Sequence, residues 1–423
     1  MAVTERAIPD RRRLLDGDGG RILLFAVLAS ALTGPGQTIG VSVFIDHFIS
    51  DLGITREEVS GAYLVGTLAA SLFLPTVGRA IDRFGVRRSQ VVIGLGFALV
   101  LVNMSFVTGL VTLAIGFLGI RQLGQGSLSL VSTVTVSLRF ERDRGTALGL
   151  YSTFSAGLLA VAPILLGASI AAFGWRSTWL IAAATVALVV TPMSWFGLAG
   201  MPRNSTKSAV RETTAESVPQ DAVTDGSVPR AIAVRSRGFW ILVAISGSAS
   251  MLSTALNFHQ IDLLTSAGLS TVAAAALFLP QVIGSSIAGF GFGVLIDRAA
   301  SGSRAWGRFL PAAAAGLLAL AHLLAAIVAP GVVVFVYAIS LGAAGGAIRT
   351  VTSALIPQWF GTGELGSIQG ALTTITVGFS AIGPLTLAFL EANTGSYATS
   401  VLILATIPVA AALFSLSGPK DQR

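Results

Sequence analysis

The chain has 423 residues, of which 53% are hydrophobic and only 11% are charged, and its mean hydropathy is +0.80. A soluble domain usually carries about 25% charged residues, so this composition excludes an ordinary soluble protein and predicts a membrane protein. Cysteine is absent, which excludes a disulfide framework, thiol chemistry and a cysteine metal site. The net charge of +7 could indicate a nucleic-acid partner. The positions of the basic residues along the chain indicate a membrane topology instead, as shown below.

Apolar stretches long enough to cross a bilayer, about 20 residues each, recur along the chain. We predict twelve spans, at 21–45, 58–77, 90–107, 110–138, 146–172, 177–199, 238–264, 272–296, 308–329, 331–358, 367–391 and 397–416. The segment 201–237 is polar, rich in Ser and Thr and without an apolar period, and we predict it to be a disordered cytoplasmic linker. The predicted organisation is an N-terminal tail (1–20), a six-helix bundle (21–200), the linker (201–237), a second six-helix bundle (238–416) and a C-terminal tail (417–423).

The two predicted bundles repeat each other in the same chain direction. Landmark residues recur after 215 or 221 positions: Gly53 and Gly268, Gly78 and Gly293, Asp82 and Asp297, Arg83 and Arg298, Gly145 and Gly366, Pro163 and Pro384, Gly174 and Gly395. A parallel duplication in so apolar a chain is typical of transporters with a substrate path between two halves. The sequence therefore predicts an all-α membrane protein of twelve transmembrane helices, in two six-helix bundles related by pseudo-two-fold symmetry. Gly34-Pro35-Gly36 in span 1, and the two repeated prolines in spans 5 and 11, are predicted to interrupt their helices beside a cavity.

The positions of the basic residues predict the orientation. All but four of the 27 Lys and Arg lie on the tails, on the linker and on the loops after spans 2, 4 and 8; the exceptions are Arg56, Arg121, Arg176 and Arg349. Because Lys and Arg accumulate on cytoplasmic loops, both termini are predicted to be cytoplasmic, in a plasma membrane of prokaryotic type. The charge therefore indicates topology, and we expect no nucleic-acid partner.

The loop between spans 2 and 3 carries the strongest motif, VGRAIDRFGVRR. A glycine permits close approach of two helix ends, the aspartate can cap the next helix or pair with a basic residue across the bundle, and the arginines stay on the cytoplasmic face. We predict a gating latch in this loop, with a weaker copy in the second half where Ala300 replaces the glycine. Its members are Gly78, Asp82, Arg83, Gly85, Arg87 and Arg88, with Asp297 and Arg298 in the copy.

This loop motif resembles the signature loop of the major facilitator superfamily, and the resemblance covers essentially the whole chain. Within that superfamily the chain is most similar to the oxalate–formate and monocarboxylate transporter branches, on the segments RFERDRGTALGL, PQWFGTGELGSIQG and FHQIDLLTSAGLS. Arg121 resembles the arginine of the span-4 motif of the superfamily, although the following Gln-Gly pair falls one position late, at Gln125-Gly126. The resemblance implies transport by alternating access, normally as a monomer.

Two arginines, Arg121 and Arg349, lie inside predicted spans, whereas none of the 20 acidic residues lies in the middle of one. A charge at this depth costs about 3 kcal/mol or more unless it faces a cavity or a partner, and the guanidinium fork suits a carboxylate. We therefore predict that both arginines bind an anionic substrate; the alternative is that each pairs with carbonyl groups or reaches an interface. Further polar candidates for this substrate site are Gln37, Asn257, Tyr63 and Tyr151.

Few residues are candidates for proton coupling. His47 and Asp262 are repeat mates, 215 positions apart, and His259 lies one turn before Asp262. All three lie near the outer ends of spans 1 and 7, and histidine titrates in the useful pH range. The alternative for these residues is interfacial hydrogen bonding without a relay function.

We predict a secondary transporter of a small organic anion, a mono- or dicarboxylate, by proton symport or anion exchange. One alternative is a proton-coupled drug exporter, although such exporters often carry a buried carboxylate in the path; another is a transporter-like sensor without flux. The chain has no P-loop and no metal-ligand spacing, so we expect no enzymatic activity, no cofactor and no metal. The expected partners are the substrate, the lipid bilayer and a coupling proton or counter-anion, with the chain as a monomer.

Overall fold

The computed structural model describes residues 17–140, 144–199, 201, 228–301, 307–361 and 364–418. Residues 202–227 of the predicted linker, and most of the two predicted tails, lie outside the described residues. A short helix, Arg230–Ala233, precedes the helix that begins at Arg237. The long helices are α1 (Asp18–Ala31, Thr38–Val41 and Ile45–Leu52, joined by 3-10 turns at Gly34–Gly36 and Ser42–Phe44), α2 (Arg56–Phe84), α3 (Val86–Ser105), α4 (Leu110–Gly119, Ile120–Leu128 and Ser129–Arg139), α5 (Arg144–Phe173), α6 (Trp175–Thr185, Val186–Val190 and Thr191–Gly197), α7 (Arg237–Ser266), α8 (Thr271–Ala276 and Phe278–Ser301), α9 (Leu310–Ala326), α10 (Val332–Phe360), α11 (Leu365–Thr394) and α12 (Tyr397–Leu416).

The length and the apolar composition of these helices suit a membrane. Within the described chain, ten helices are long and apolar enough to cross a bilayer. α9 is shorter, with 17 residues, and α4 carries a polar segment around Arg121 at its middle. The predicted all-helical membrane fold is confirmed.

The helices extend beyond the predicted apolar spans. Hydropathy predicts an end at 77 for α2, but the helix continues to Phe84, because nothing stops a helix in the basic segment until Gly85. Gly85 has φ +78°, a left-handed conformation that only glycine adopts without strain. Hydropathy therefore marks the membrane-embedded part of this helix, and the glycine marks its true end.

The sequence repeat appears in the structure as matching helix ends. Gly53 and Gly268 both adopt positive φ, +63° and +96°, where the chain turns toward α2 and α8. Two residues later, Thr55 and Ser270 cap these helices through side chains that accept a hydrogen bond from the first turn. The same local sequence thus builds the same turn in both halves.

Helix packing follows the repeat. In the first half (α1–α6), α1 packs on α5, α2 on α4 and α3 on α6. In the second half (α7–α12), the equivalent pairs are α7 with α11, α8 with α10 and α9 with α12. The halves meet through α1 with α7, α2 with α11 and α5 with α8, and the last two pairs are themselves equivalent. These contacts confirm the predicted pseudo-two-fold relation.

Glycines let α8 and α10 approach closely. A Cβ added at Gly342 would collide with the carbonyl oxygen of Gln281, and one at Gly346 with that of Ser285. Small residues commonly allow such backbone contact in membranes, where lipid gives helices no hydrophobic drive to associate. The result is that side chains at the edge of this contact, on both helices, are held in fixed relative positions.

The predicted helix breaks are only partly confirmed. Gly34-Pro35-Gly36 does interrupt α1, as a 3-10 turn. The expectation that Pro163 and Pro384 interrupt α5 and α11 is wrong, because both helices continue through their prolines. A proline removes one backbone donor and frees the carbonyl four residues earlier, but a helix in a membrane bundle tolerates this where neighbouring groups re-satisfy the freed carbonyl.

The α2 helix contacts the second half at its first residue, whereas it is exposed toward its other end. At its first residue, Arg56 bonds to the second half, as described below. Toward Gly85, residues 72–76 are all exposed, and five consecutive helical residues cover the whole circumference. The halves therefore touch at the end of the protein where Arg56 lies and are separated toward the end where Gly85 lies. We call these the Arg56 end and the Gly85 end.

Candidate functional site

Two adjoining cavities lie between the halves, of about 400 and 420 Å³. This size is in the range of small-molecule sites. Both are lined by α1, α7 and α10; α5 and α8 complete the first and α11 completes the second. Because they share Ser253, Asn257, Gly345 and Arg349, we describe them together as the central cavity.

Arg349 is the one charged side chain among the described residues that line the central cavity. Its Nη2 donates a hydrogen bond to Oγ of Ser285, at 2.5 Å, across the close contact of α8 and α10. Within the described chain, no carboxylate lies within ion-pair distance of it. The cavity thus holds a cation that one hydroxyl positions and that no carboxylate of the described residues neutralises.

The rest of the cavity wall is neutral and partly polar. Asn257 Oδ1 and Ser253 Oγ are buried and have no hydrogen-bond partner among the described residues. Other lining hydroxyls pair with one another, Ser246 with Thr352 at 2.9 Å, or bond to helix backbone, as Ser353 does to the carbonyl of Arg349. The electrostatics of this cavity therefore favour an anionic guest that also takes part in hydrogen bonds.

Arg121 lies behind the cavity wall and not in it. Its side chain is buried, Nη1 donates to Thr38 Oγ1 at 3.3 Å, and the guanidinium lies over the ring of Tyr63, 4.9 Å from the centroid. Thr38 itself lines the cavity, and its hydroxyl is 2.7 Å from the Tyr63 hydroxyl. Tyr63 also packs on Phe258 of the second half, with centroids 4.6 Å apart. Arg121 therefore touches the cavity only through Thr38.

The turn that carries Arg121 is a π-helix, Ile120–Leu128. Ser127 Oγ donates to the carbonyl of Gln122 at 2.7 Å, a bond that spans five residues. A π segment accommodates more residues per turn than an α-helix and is frequent at functional sites. This geometry explains the Gln-Gly pair that falls one position late, at Gln125-Gly126, because the wider turn absorbs the additional residue.

An ion-pair network joins the halves at the Arg56 end. Arg56 Nη2 lies 2.7 Å from Asp46 Oδ1 in the first half and 3.3 Å from Asp262 Oδ2 in the second. The Tyr397 hydroxyl donates to Asp262 Oδ2 at 2.5 Å. We call these four residues the Arg56 clamp, since its arginine holds carboxylates of both halves at once.

The predicted proton-coupling residues gather at the same end. Asp262 belongs to the Arg56 clamp, and His47 follows Asp46 directly. His259 is fully buried, with Nε2 on the carbonyl of Pro384 at 2.9 Å and Nδ1 without a partner among the described residues. Their function in proton coupling stays a prediction.

The predicted latch loop lies at the Gly85 end. Arg87 Nε donates to the carbonyl of Trp195 at 2.8 Å and its guanidinium lies 4.3 Å from that ring centroid, so Arg87 joins α3 to α6 within the first half. Asp82 does not cap α3, because it lies in the last turns of α2 and the cap position is Gly85, without a side-chain bond. The latch itself stays a prediction. Its other members are exposed or half-buried on this end of α2, α3 and α8: Gly78, Arg83, Arg88, Asp297 and Arg298.

A matched pair of glycine substitutions tests how this loop is built. We expect Gly85→Ala to lower the stability by about 1–2 kcal/mol, because alanine is strained at a positive φ. We expect Gly78→Ala to raise it by up to about 1 kcal/mol, since the position is helical and an added Cβ meets nothing within 4 Å. The apparent melting temperatures of the purified variants in detergent show whether each substitution raises or lowers the stability. A Gly85→Ala variant as stable as the parent would contradict the turn described here.

The structure brings together some of the residues proposed for substrate binding and separates others. Arg349 and Asn257 line the central cavity, and Arg121 and Tyr63 form one cluster beside it. Gln37 instead donates to Thr33 Oγ1 at 2.8 Å within the break of α1. Tyr151 packs in a small apolar cluster with α1 and α4, and its hydroxyl accepts from Thr133 at 3.5 Å. Neither of these two lines the cavity.

Sequence reasoning missed Ser285, Gln281, Arg56 and Tyr397, which the structure brings into these sites. Ser285 and Gln281 are polar residues one turn apart in an apolar span, a signal that was available on inspection of span 8. Arg56 is one of only two basic residues on predicted outer loops, and that exceptional position marks it. Ser285 contacts Arg349, Arg56 and Tyr397 contact Asp262, and Gln281 lines the central cavity.

Comparison with known proteins agrees with this architecture. A family model described as Major Facilitator Superfamily matches residues 25–340. A relative from Mycobacterium tuberculosis, the "Multidrug resistance protein B homolog", is 31% identical over 178 residues, which are 42% of this chain and 32% of that protein; the chain thus spans about a third of this relative.

Two solved structures share the fold at low identity. The nucleoside transporter NupG has a TM-score of 0.71 at 15% identity, over 94% of this chain and 98% of its own. A bacterial homolog of the human lysosomal transporter Spinster, in an inward-facing and occupied conformation, has a TM-score of 0.66 at 16% identity, over 94% and 95% of the two chains.

Proposed function

Because this chain belongs to the major facilitator superfamily, we propose that it carries a small organic anion, a mono- or dicarboxylate, across the membrane by alternating access. The superfamily consists of transporters and not enzymes, and the observed helix packing is that of a two-half carrier. The identity of the anion class is inferred from the central cavity of this chain alone.

The observation that carries the proposal is the isolated charge of Arg349. A guanidinium between membrane helices is costly unless it faces a cavity or a partner. Arg349 faces the central cavity, and the described lining residues include no carboxylate to pair with it. A substrate carboxylate would accept two parallel hydrogen bonds from the arginine fork. Ser285 would keep the fork oriented from the side, so that the substrate meets a prepared donor set.

Arg121 has a supporting function in this proposal. It is buried among first-half residues and reaches the cavity only through Thr38, so we assign it the positioning of Thr38 and Tyr63 and a contribution to the positive potential. Asn257 offers a neutral polar contact inside the cavity. We propose no direct substrate contact for Gln37 or Tyr151, which lie elsewhere.

The conformation fits one half of a transport cycle. The Arg56 clamp joins the halves at one end, and α2 is uncovered toward the other. By the distribution of Lys and Arg, the uncovered Gly85 end faces the cytoplasm, with both termini on that side of a plasma membrane. The halves would then rock about the central cavity, with proton symport or anion exchange as the coupling.

A drug exporter is the second candidate, and the named M. tuberculosis relative favours it. Lipophilic cations need a carboxylate or an aromatic wall, and the described cavity lining offers one aromatic side chain, Phe278, and no carboxylate. A third candidate, a sensor that binds ligand without flux, has the same binding site and differs only in transport.

A ligand screen separates these candidates. We expect small carboxylates such as oxalate, lactate and butyrate to raise the apparent melting temperature of the purified protein, because a ligand that binds only the folded state stabilises it, by about 2.7 kcal/mol at 100 times its Kd. We expect no rise with tetraphenylphosphonium at the same concentrations. The reverse result would overturn the anion proposal in favour of a drug exporter, and carboxylate binding without flux in proteoliposomes would favour the sensor.

A further inference from the structure

A short chain of buried amides leads from the start of α8 into the central cavity. Gln260 Nε2, on α7, donates to the carbonyl of Ala274 at 3.1 Å. Gln281 Nε2, on α8, donates to Gln260 Oε1 at 2.5 Å. Gln260 is fully buried and Gln281 is 8% exposed, and Gln281 lines the cavity.

The chemistry of these bonds fixes the direction of both amides. A backbone carbonyl only accepts, so Gln260 must turn its NH₂ toward Ala274 and its oxygen toward Gln281. Gln281 must then turn its own NH₂ toward Gln260. Its Oε1 is left without a hydrogen-bond partner among the described residues, in a side chain that forms part of the cavity wall. The chain of amides thus presents an acceptor, and not a donor, to a guest.

This acceptor lies on the same face of α8 as the contact of Arg349. Gln281 and Ser285 are four residues apart, one helical turn, or about 6 Å along the axis. Ser285 accepts from Arg349, so the cavity wall has a cationic donor at one level and a fixed neutral acceptor about one turn away. A guest that satisfies both must carry an anion at one end and a hydrogen-bond donor at the other.

We infer that Gln281 is a specificity-determining residue, which selects anions that carry a hydroxyl or another donor remote from the carboxylate over unsubstituted acids of the same length. This inference rests on the proposed anion function and names its substrate class more narrowly. The physical reason is that an unsubstituted acid would displace solvent from Oε1 without replacing its hydrogen bond.

The test compares butyrate with 2-, 3- and 4-hydroxybutyrate, which share one carbon chain. We expect the purified wild-type protein to bind 3- or 4-hydroxybutyrate at least about 5-fold more tightly than butyrate, the size of one neutral hydrogen bond, with a smaller gain for the 2-hydroxy acid. In Gln281→Met, which keeps the length and removes the acceptor, the hydroxy acids and butyrate should bind with about equal affinity, because the hydroxyl loses its partner and butyrate no longer desolvates an acceptor. Calorimetry or competition for transport measures each affinity.

Ser286→Ala is the matched control. Ser286 lines the same cavity on the same helix, but its hydroxyl donates to the carbonyl of Val282 at 3.0 Å, so its removal should leave the hydroxybutyrate preference intact. Should Gln281→Met fail to fold, Gln281→Asn, which withdraws the acceptor by one methylene, gives the same comparison.

The outcomes distinguish this inference from the function on which it rests. Equal affinity of the wild-type protein for butyrate and all three hydroxy acids overturns the inference and leaves the anion proposal standing. A preference that survives Gln281→Met assigns the acceptor to another residue and also overturns it. Failure of every carboxylate to bind removes the proposed function itself.

Discussion

Replacing Arg349 with glutamine is expected to abolish anion transport at ordinary substrate concentrations. The variant keeps a polar side chain in the cavity but removes its one charge among the described lining residues. Arg349 is exposed to the open cavity, so we take the lower end of the cost of losing one partner of a hydrogen-bonded charge pair, about 2 kcal/mol, which is roughly a 30-fold loss of affinity. Flux of a radiolabelled carboxylate into proteoliposomes, together with its binding affinity, measures the effect.

Two further variants interpret that result. Arg349→Lys keeps the charge and loses the fork, so we expect an intermediate defect, because an ammonium cannot bond a carboxylate in the bidentate way. Arg308→Gln removes an exposed arginine that lies over the ring of Phe309, away from the cavity, and should transport normally. Equal flux by the wild-type and Arg349→Gln proteins would contradict the proposal, provided that both reach the membrane in equal amounts.

Replacing Asp262 with asparagine is expected to open the Arg56 end. Asparagine imitates the protonated carboxyl, so the ion pair across the halves is lost while the hydrogen bond to Tyr397 can persist. Arg56 and Asp262 are 17% and 27% exposed, and coupling of such a contact to a two-state change is typically about 1–3 kcal/mol, or roughly 5–150-fold in the ratio of conformations. The same change in the wild-type protein would link proton binding to conformation.

The measurement uses the absence of native cysteine. A single Ser253→Cys substitution in the central cavity gives one labelling site, and a membrane-impermeant maleimide applied to oriented vesicles reports access from each side. In Asp262→Asn, labelling from the Arg56 side should rise and labelling from the Gly85 side should fall. Unchanged labelling from both sides would contradict the clamp.

Asp46→Asn is the matched control for the clamp. It removes the other carboxylate of the same arginine, at 2.7 Å, but Asp46 and Arg56 both belong to the first half. The bond that crosses between the halves stays, so access to the cavity should stay close to that of the parent. A similar effect of both substitutions would mean that the charge of Arg56, and not its link to the second half, determines the conformation.

The fold was largely predictable because its signals are local and repeated. Gly53 and Gly268 are 215 positions apart, as are the helix caps Thr55 and Ser270. The same local sequence pattern therefore predicts the same turn in both halves. The prolines of α5 and α11 misled the prediction, because a membrane helix can continue through a proline where neighbouring groups re-satisfy the freed carbonyl, and the sequence does not show which groups lie nearby.

The site was less predictable because its contacts join distant segments. The depth of Arg349 could be read from its span, but its hydroxyl partner on another helix could not, since it depends on the glycine contact between α8 and α10. The sequence predicts Arg121 as a second ligand beside Arg349, whereas the π turn and Thr38 put it behind the wall. The shifted Gln-Gly pair was the visible trace of that turn.

The Arg56 clamp departs from the symmetry of the fold. The repeat maps Arg56 onto Thr271 and Asp262 onto His47, and a threonine and a histidine cannot form a carboxylate–guanidinium pair. Among the described residues, the ion pair of Arg56 with Asp262 therefore has no equivalent ion pair at Thr271 and His47. We therefore expect the closed end to open asymmetrically. The contacts near Thr271 should break first, and the ion pair of Arg56 with Asp262 should break last.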